Sequence, residues 1–268
     1  MKRPILLVGA GRMGGALLKG WIGAGIGPLA VVEPSPSPAL RKQARAGGYA
    51  LYARASDSEG SPRACVIALK PQVLRTEAPN LRRLAQSGAP MISIVAGTTI
   101  RNLQRVWGRN ARIVRAMPNT PGAIGRGISA LYASSKIPRT DRLLAESLLA
   151  PLGQTLWVSQ ESQIDAVTAV SGSGPAYVLL LVEALAEAAR AEGLSEAQAQ
   201  KLARATVAGA GALLDADSRA PFELRRDVTS PGGTTEAALN VLLAKDGLKP
   251  LMARAVHAAR ARAEDLSR

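Results

Sequence analysis

One cysteine and one histidine in 268 residues leave little for metal or thiol chemistry. Cys65 has no second cysteine with which to form an internal disulfide, and with His257 alone no Cys/His metal cluster can be assembled, so no metal site is expected. Aromatic residues are equally scarce, at 3% of the chain, which leaves few rings for stacking on bases. Charge of one sign never forms a long block. The net charge of +14 would suit a nucleic-acid binder, yet the arginines and lysines are spread along the chain, so nucleic acid is not expected as a partner. The charge is assigned instead to solubility and to the attraction of anionic small molecules, phosphorylated cofactors and carboxylates among them. Long apolar runs are missing as well. Met1, Lys2 and Arg3 precede only a short apolar run before Gly9, too short for a signal-peptide core, and no run is read as approaching the length of a membrane span. The expected compartment is the cytoplasm, with no membrane partner.

What is present is enough for two domains, because 47% of the residues are apolar and the length exceeds one average domain. Residues 5–8 read as a buried strand that ends directly in Gly9-Ala10-Gly11-Arg12-Met13-Gly14, a complete G-x-G-x-x-G. A helical pattern follows with Leu17, Leu18, Trp21 and Ile22 on one face, and then a second strand at residues 29–32. Strand, glycine turn, helix and strand form the context in which such glycines let the backbone approach a pyrophosphate at a helix N-terminus. Glu33 closes the second strand, where an acid usually takes the ribose 2′-hydroxyl of NAD. Ser35, Ser37 and Arg41 follow it, and these groups suit a 2′-phosphate, so both NADPH and NADH stay open.

Alternation continues with strands expected at residues 64–69, 90–95 and 112–116 and helices at 71–86 and 99–107. Further strands at 128–133 and 155–159 flank a helix and complete a dinucleotide-binding domain of residues 1–158. Such alternation predicts a parallel sheet covered by helices, with ligands at the carboxyl ends of the strands. The segments of interest are therefore Ala68-Leu69-Lys70-Pro71, Val95-Ala96-Gly97 and Met117-Pro118-Asn119-Thr120-Pro121.

From Ser162 strand signals cease, so residues 159–268 are expected to be all helical. Ser171-Gly172-Ser173-Gly174-Pro175 reads as a small-residue turn into a helix apolar nearly all round at residues 177–182, and residues 208–212 are small enough to admit a neighbouring helix. This much apolar helix surface predicts at least a dimer. Between two of the helices stands Val228-Thr229-Ser230-Pro231-Gly232-Gly233-Thr234-Thr235, a loop feeding a helix N-terminus. Free N–H groups, glycines without Cβ and the hydroxyls of Ser230, Thr234 and Thr235 make it a cradle for a small carboxylate.

The chain resembles the pyrroline-5-carboxylate reductase family over essentially its whole length. The matching stretches are G-A-G-R-M-G at residues 9–14, A-L-K-P at 68–71, R-A-M-P-N-T-P at 115–121, S-G-S-G-P-A-Y at 171–177 and S-P-G-G-T-T at 230–235. The resemblance implies an N-terminal Rossmann-type domain and a C-terminal dimerisation domain. It implies reduction of 1-pyrroline-5-carboxylate to L-proline with NADPH or NADH, in a homodimer or larger homo-oligomer. It also implies that Val8, Gly9, Ala10, Gly11, Arg12, Met13 and Ser35 hold the pyrophosphate and adenosine ribose, and that Ala68, Leu69, Lys70 and Pro71 with Val95, Ala96 and Gly97 flank the nicotinamide. Ser230, Gly232, Gly233 and Thr234 with Asn119 are the implied substrate residues, and Thr235 the implied catalytic contact. Glu33, Arg226 and Glu236 depart from the common family pattern. A β-hydroxyacid dehydrogenase would need a lysine and an asparagine in the first long helix, and residues 174–192 contain neither. A sensor that had lost catalysis would have no use for the loop at 230–235.

Overall fold

Short runs in which every residue is apolar make strands buried on both faces, because alternate side chains feed two different cores. The computed structural model describes residues 3–58, 60–134 and 137–267. Its strands are β1 (Ile5–Val8), β2 (Leu29–Val32), β3 (Ala50–Tyr52), β4 (Ala64–Ile67), β5 (Met91–Ser93), β6 (Ile113–Met117), β7 (Gly127–Ala133) and β8 (Gly153–Trp157). They form one sheet in the order β3-β2-β1-β4-β5-β6-β7-β8. The sheet is parallel from β3 to β6, after which β7 pairs antiparallel to β6 and β8 parallel to β7.

On one face Ile5, Leu7, Val31, Val66, Ile92 and Val114 pack with Leu17, Leu18 and Trp21. On the other, Leu6, Val8, Val32, Cys65, Ile67 and Met91 pack with Leu74, Leu103 and Trp107. Burying each such side chain stabilises by roughly 1.5–3 kcal/mol. The two indoles also find polar partners, with Trp21 Nε1 donating to Leu148 O at 2.7 Å and Trp107 Nε1 to Ala78 O at 2.8 Å. These cores hold the helices α1 (Arg12–Gly23), α2 (Pro38–Arg45), α3 (Pro71–Glu77), α4 (Arg82–Gln86), α5 (Ile100–Trp107) and α6 (Arg139–Leu149) on the sheet.

Several details differ from the sequence-based expectation. The single helix expected at 71–86 is interrupted by a 3₁₀ turn at Ala78–Leu81, because Pro79 has no N–H to continue the α-helical ladder. The short strand β3, three residues that follow the glycine pair at 47 and 48, was not among the expected strands. The reversal at β7 comes from the 3₁₀ turn Thr120–Ile124, which returns the chain beside β6 without a crossover helix.

The helices that follow are α7 (Gln163–Val167), α8 (Gly174–Ala191), α9 (Glu196–Ala216), α10 (Pro221–Asp227), α11 (Thr234–Leu242) and α12 (Leu248–Ser267). A π-helical turn at Thr168–Gly172 stands where a turn was expected. It makes Gln163–Ala191 one helical run, long and apolar enough by length and composition to cross a membrane. The expectation that no segment approaches that length is therefore corrected. The chain divides into two compact units, residues 1–172 with 259–268, and residues 173–258. Within the second, α8 and α9 pack through Ala186, Ala199 and Ala203. Leu179 and Leu180, in the helix whose apolar surface is expected to meet a second copy, are 63% and 62% exposed within one chain.

Candidate active site

The glycine fingerprint opens a cleft at the carboxyl ends of β1, β2 and β4. Gly9 has φ +93°, and a Cβ there would stand 2.8 Å from Ala68 O. At Gly14 a Cβ would stand 2.1 Å from Gly9 O, so α1 can sit on the strand end only because that position has no side chain. Around the N-cap residue Gly11 the space is open, with nothing within 4 Å of a Cβ position. An approachable helix N-terminus of this kind fits a pyrophosphate, whose charge the free N–H groups and the helix dipole favour. The cleft has a volume of about 1050 Å³. Val8, Gly9, Gly11, Ser35, Ala68, Leu69 and Lys70 all line it.

Ala10, Arg12, Met13 and Pro71 adjoin it through backbone. Ala10 N–H donates to Glu33 Oε2 at 2.9 Å, Arg12 and Met13 begin α1, and Pro71 begins α3. Glu33 Oε1 accepts in turn from Ser35 N–H at 3.3 Å. Both carboxylate oxygens thus have backbone partners. Ser37 is committed to capping α2, its Oγ accepting from Leu40 N–H at 3.2 Å. Arg41 and Arg45 line a neighbouring hollow of about 510 Å³. Arg54 and Ser56 also line the main cleft. The residue pattern did not single them out, since they follow the inconspicuous strand β3.

Val95, Ala96 and Gly97 form the turn after β5 and are not part of that cleft lining. Asn119 is engaged internally. Its Nδ2 donates to Ser171 O at 3.2 Å and its Oδ1 accepts from Ile128 N–H at 2.9 Å, so it ties the end of β6 to the start of β7 and to the π-helical turn. Cys65 is fully buried in β4, and burial pushes its thiol up to about 12. It is a core residue.

The loop before α11 belongs to the second unit. Gly232 has φ +71° and Gly233 is the N-cap, with no side chain capping the helix. Gly233 N–H donates to Ser230 O at 3.0 Å, and a Cβ on Gly233 would stand 2.5 Å from Ser230 Oγ. Gly232 N–H donates to Glu236 Oε2 at 2.7 Å, so the loop already holds a carboxylate on one of its backbone donors. Thr234 is exposed and Thr235 half-buried, in the first turn of α11.

Residues 161–266 match the family model described as pyrroline-5-carboxylate reductase dimerisation, and residues 4–97 match that of NADP oxidoreductases described as coenzyme F420-dependent. A pyrroline-5-carboxylate reductase of Pseudomonas aeruginosa is 37% identical over 265 residues, which are 98% of this chain and 96% of that relative. The chain belongs to the pyrroline-5-carboxylate reductase family. A family structure from Coxiella burnetii superposes with a TM-score of 0.92 at 34% identity, over 100% of both chains. One from Plasmodium falciparum with NADP bound gives 0.83 at 27% identity, over 99% of this chain and 98% of that one. Members of this family are NAD(P)H-dependent oxidoreductases. The exposed leucines of α8 fall inside the region matched by the dimerisation model, which accounts for a run that passes for a membrane span by composition.

Proposed function

We propose that this chain transfers a hydride from NADPH or NADH to the imine carbon of 1-pyrroline-5-carboxylate and releases L-proline, the last step of proline biosynthesis. The observation that carries this reading is coverage. Similarity at 37% identity extends over 98% of the chain, so the nucleotide cleft and the loop at residues 230–235 are matched together. The domain division that goes with it is residues 1–158 for the cofactor and 159–268 for substrate binding and dimerisation, in a cytoplasmic homodimer or larger homo-oligomer.

A bound nicotinamide supplies the hydride. The chain supplies position. A protonated cyclic imine is already electrophilic, so its reduction needs alignment at roughly 3–3.5 Å and a donor near nitrogen rather than a strong general base. Val8 to Met13 with Ser35 hold the pyrophosphate and ribose in this reading, and Ala68 to Pro71 with Val95 to Gly97 flank the nicotinamide. Glu33 keeps both oxygens on backbone N–H groups, which turns the carboxylate into the glycine turn and leaves the surrounding hydroxyls and arginines to a 2′-phosphate. The substrate carboxylate is assigned to the loop at Ser230, Gly232, Gly233 and Thr234, where it would take the place that the Glu236 carboxylate occupies on Gly232 N–H. Asn119 contributes by holding the loop after β6. Proton balance closes simply: the hydride reduces the imine carbon, and the ring nitrogen carries its proton into the product amine.

Thr235 is assigned the contact to the ring nitrogen or carboxylate. It does not cap α11, whose N-cap is Gly233, so its hydroxyl has no capping duty to explain it. Thr235→Val keeps the shape and removes the hydroxyl, and a hydrogen bond to a charged group is worth roughly 1.5–3 kcal/mol. Catalytic efficiency, read from NADPH absorbance after adding 1-pyrroline-5-carboxylate, should fall by about ten to a hundredfold. NADPH affinity measured without substrate should barely change. A variant that is destabilised but fully active would remove Thr235 from the site.

A further inference from the structure

The turn after β5 is gripped from two sides, and both grips lead to Arg115. On one side it meets the end of the chain. Gly97 has φ +65°, and a Cβ there would stand 2.8 Å from Leu266 O, in the last turn of α12. On the other side Ile100 N–H, where the turn enters α5, donates to Glu161 Oε1 at 2.7 Å. Arg115 on β6 is 2% exposed and reaches both acids, with Nη1 3.3 Å from Glu161 Oε1 and Nη2 3.3 Å from Asp165 Oδ1. Ser267 Oγ lies 3.2 Å from the same Asp165 oxygen and 3.0 Å from Ala263 O, so one hydroxyl proton is shared between the C-terminal turn of α12 and the buried carboxylate. All of these residues lie in the first compact unit.

A buried arginine forked between two carboxylates is poor as a source of net stability, because desolvation offsets most of the attraction. What it does well is fix geometry, since a planar fork with two engaged nitrogens has little freedom left. The network sits at the carboxyl ends of β5 and β6, the edge of an α/β sheet at which ligands bind. The element held by it is the turn at residues 95–97.

We infer that the last turn of α12 is a positioning element of the cofactor site, with Leu266 setting the backbone of Gly97 and Ser267, Asp165, Arg115 and Glu161 locking that turn to the entry of α5. The inference rests on the proposed reading of Val95 to Gly97 as the nicotinamide side. Neither Leu266 nor Ser267 touches the cofactor in this account. They act through the turn.

The test compares five proteins: the full chain, a chain ending at Asp265, Gly97→Ala, these two changes together, and Ser267→Ala. NADPH dissociation constants come from fluorescence titration without substrate, and steady-state kinetics give the two KM values separately. Truncation and Gly97→Ala should each weaken NADPH binding by about tenfold, roughly 1.4 kcal/mol. In the truncated chain Gly97→Ala should add less than it does in the full chain, because the backbone it would collide with is gone and only the strain of the left-handed conformation remains. At saturating NADPH the KM for 1-pyrroline-5-carboxylate should stay within about twofold, a split that general loss of structure would not give. Ser267→Ala removes only the hydroxyl, and it should weaken NADPH binding by about threefold while the chain keeps its fold. Unchanged NADPH affinity in the truncated chain and in Ser267→Ala, or fully additive effects in the double variant, would overturn the inference alone. Absence of NADPH and NADH binding by the full chain would overturn the cofactor reading, and this inference with it.

Discussion

Asp141, in the first turn of α6, is a buried carboxylate with one cationic neighbour. Its Oδ1 accepts from Arg112 Nη1 at 3.4 Å, while Oδ2 lies 3.1 Å from the same nitrogen and makes no hydrogen bond of its own. Burial raises its pKa above 3.8, and the Arg112 charge only partly opposes that. The folded state therefore holds this proton at pH values where the unfolded chain has released it, and stability should decrease as pH rises from 3.8 through the folded value. Urea unfolding across that window should show the trend in the wild type and a flatter profile in Asp141→Asn. Parallel curves would contradict it. At this scale the sequence was most legible where backbone approach dictates the residue, as at Gly9 and Gly14. It was least legible where a side chain answers a distant partner. Nothing local in the sequence shows that Glu33 turns back onto Ala10, that Asn119 is occupied by Ser171 and Ile128, or that Arg115 has two acids some fifty residues away.

Among the elements, the strands with uninterrupted apolar runs were legible almost to the residue, since β1 and β2 are simply Ile5–Val8 and Leu29–Val32. Strand direction was not, because the reversal at β7 depends on a turn geometry that composition does not encode. The helices of the second unit were legible as helices, while the short α10 went unread. Their partner is outside the chain. Leu179 and Leu180 of α8 remain largely exposed in one copy, as do Leu213 and Leu214 of α9, and each large apolar side chain buried in a partner would contribute roughly 1.5–3 kcal/mol. Light scattering should give at least a dimeric mass for the wild type, and replacing both Leu179 and Leu180 by glutamate should shift the protein to monomer. A stable, active monomeric wild type would contradict the assignment of these faces to a second copy.

For the molecule as a whole, sequence motifs and family membership converge on one chemistry. The glycine fingerprint, the buried parallel strands that present it and the hydroxyl-lined loop before α11 are matched together in relatives that cover nearly the full length. Neither a histidine nor a carboxylate dyad is called for, which agrees with an exposed His257 and a Cys65 sealed in the core. The most direct measurement mixes the purified, folded protein with 1-pyrroline-5-carboxylate and follows NADPH and NADH absorbance separately while quantifying proline. The account predicts one proline for each reduced nicotinamide consumed, with NADPH used and any NADH preference below about a hundredfold, roughly 3 kcal/mol. A folded oligomer that binds the nicotinamide cofactor yet makes no proline with either reductant would contradict it.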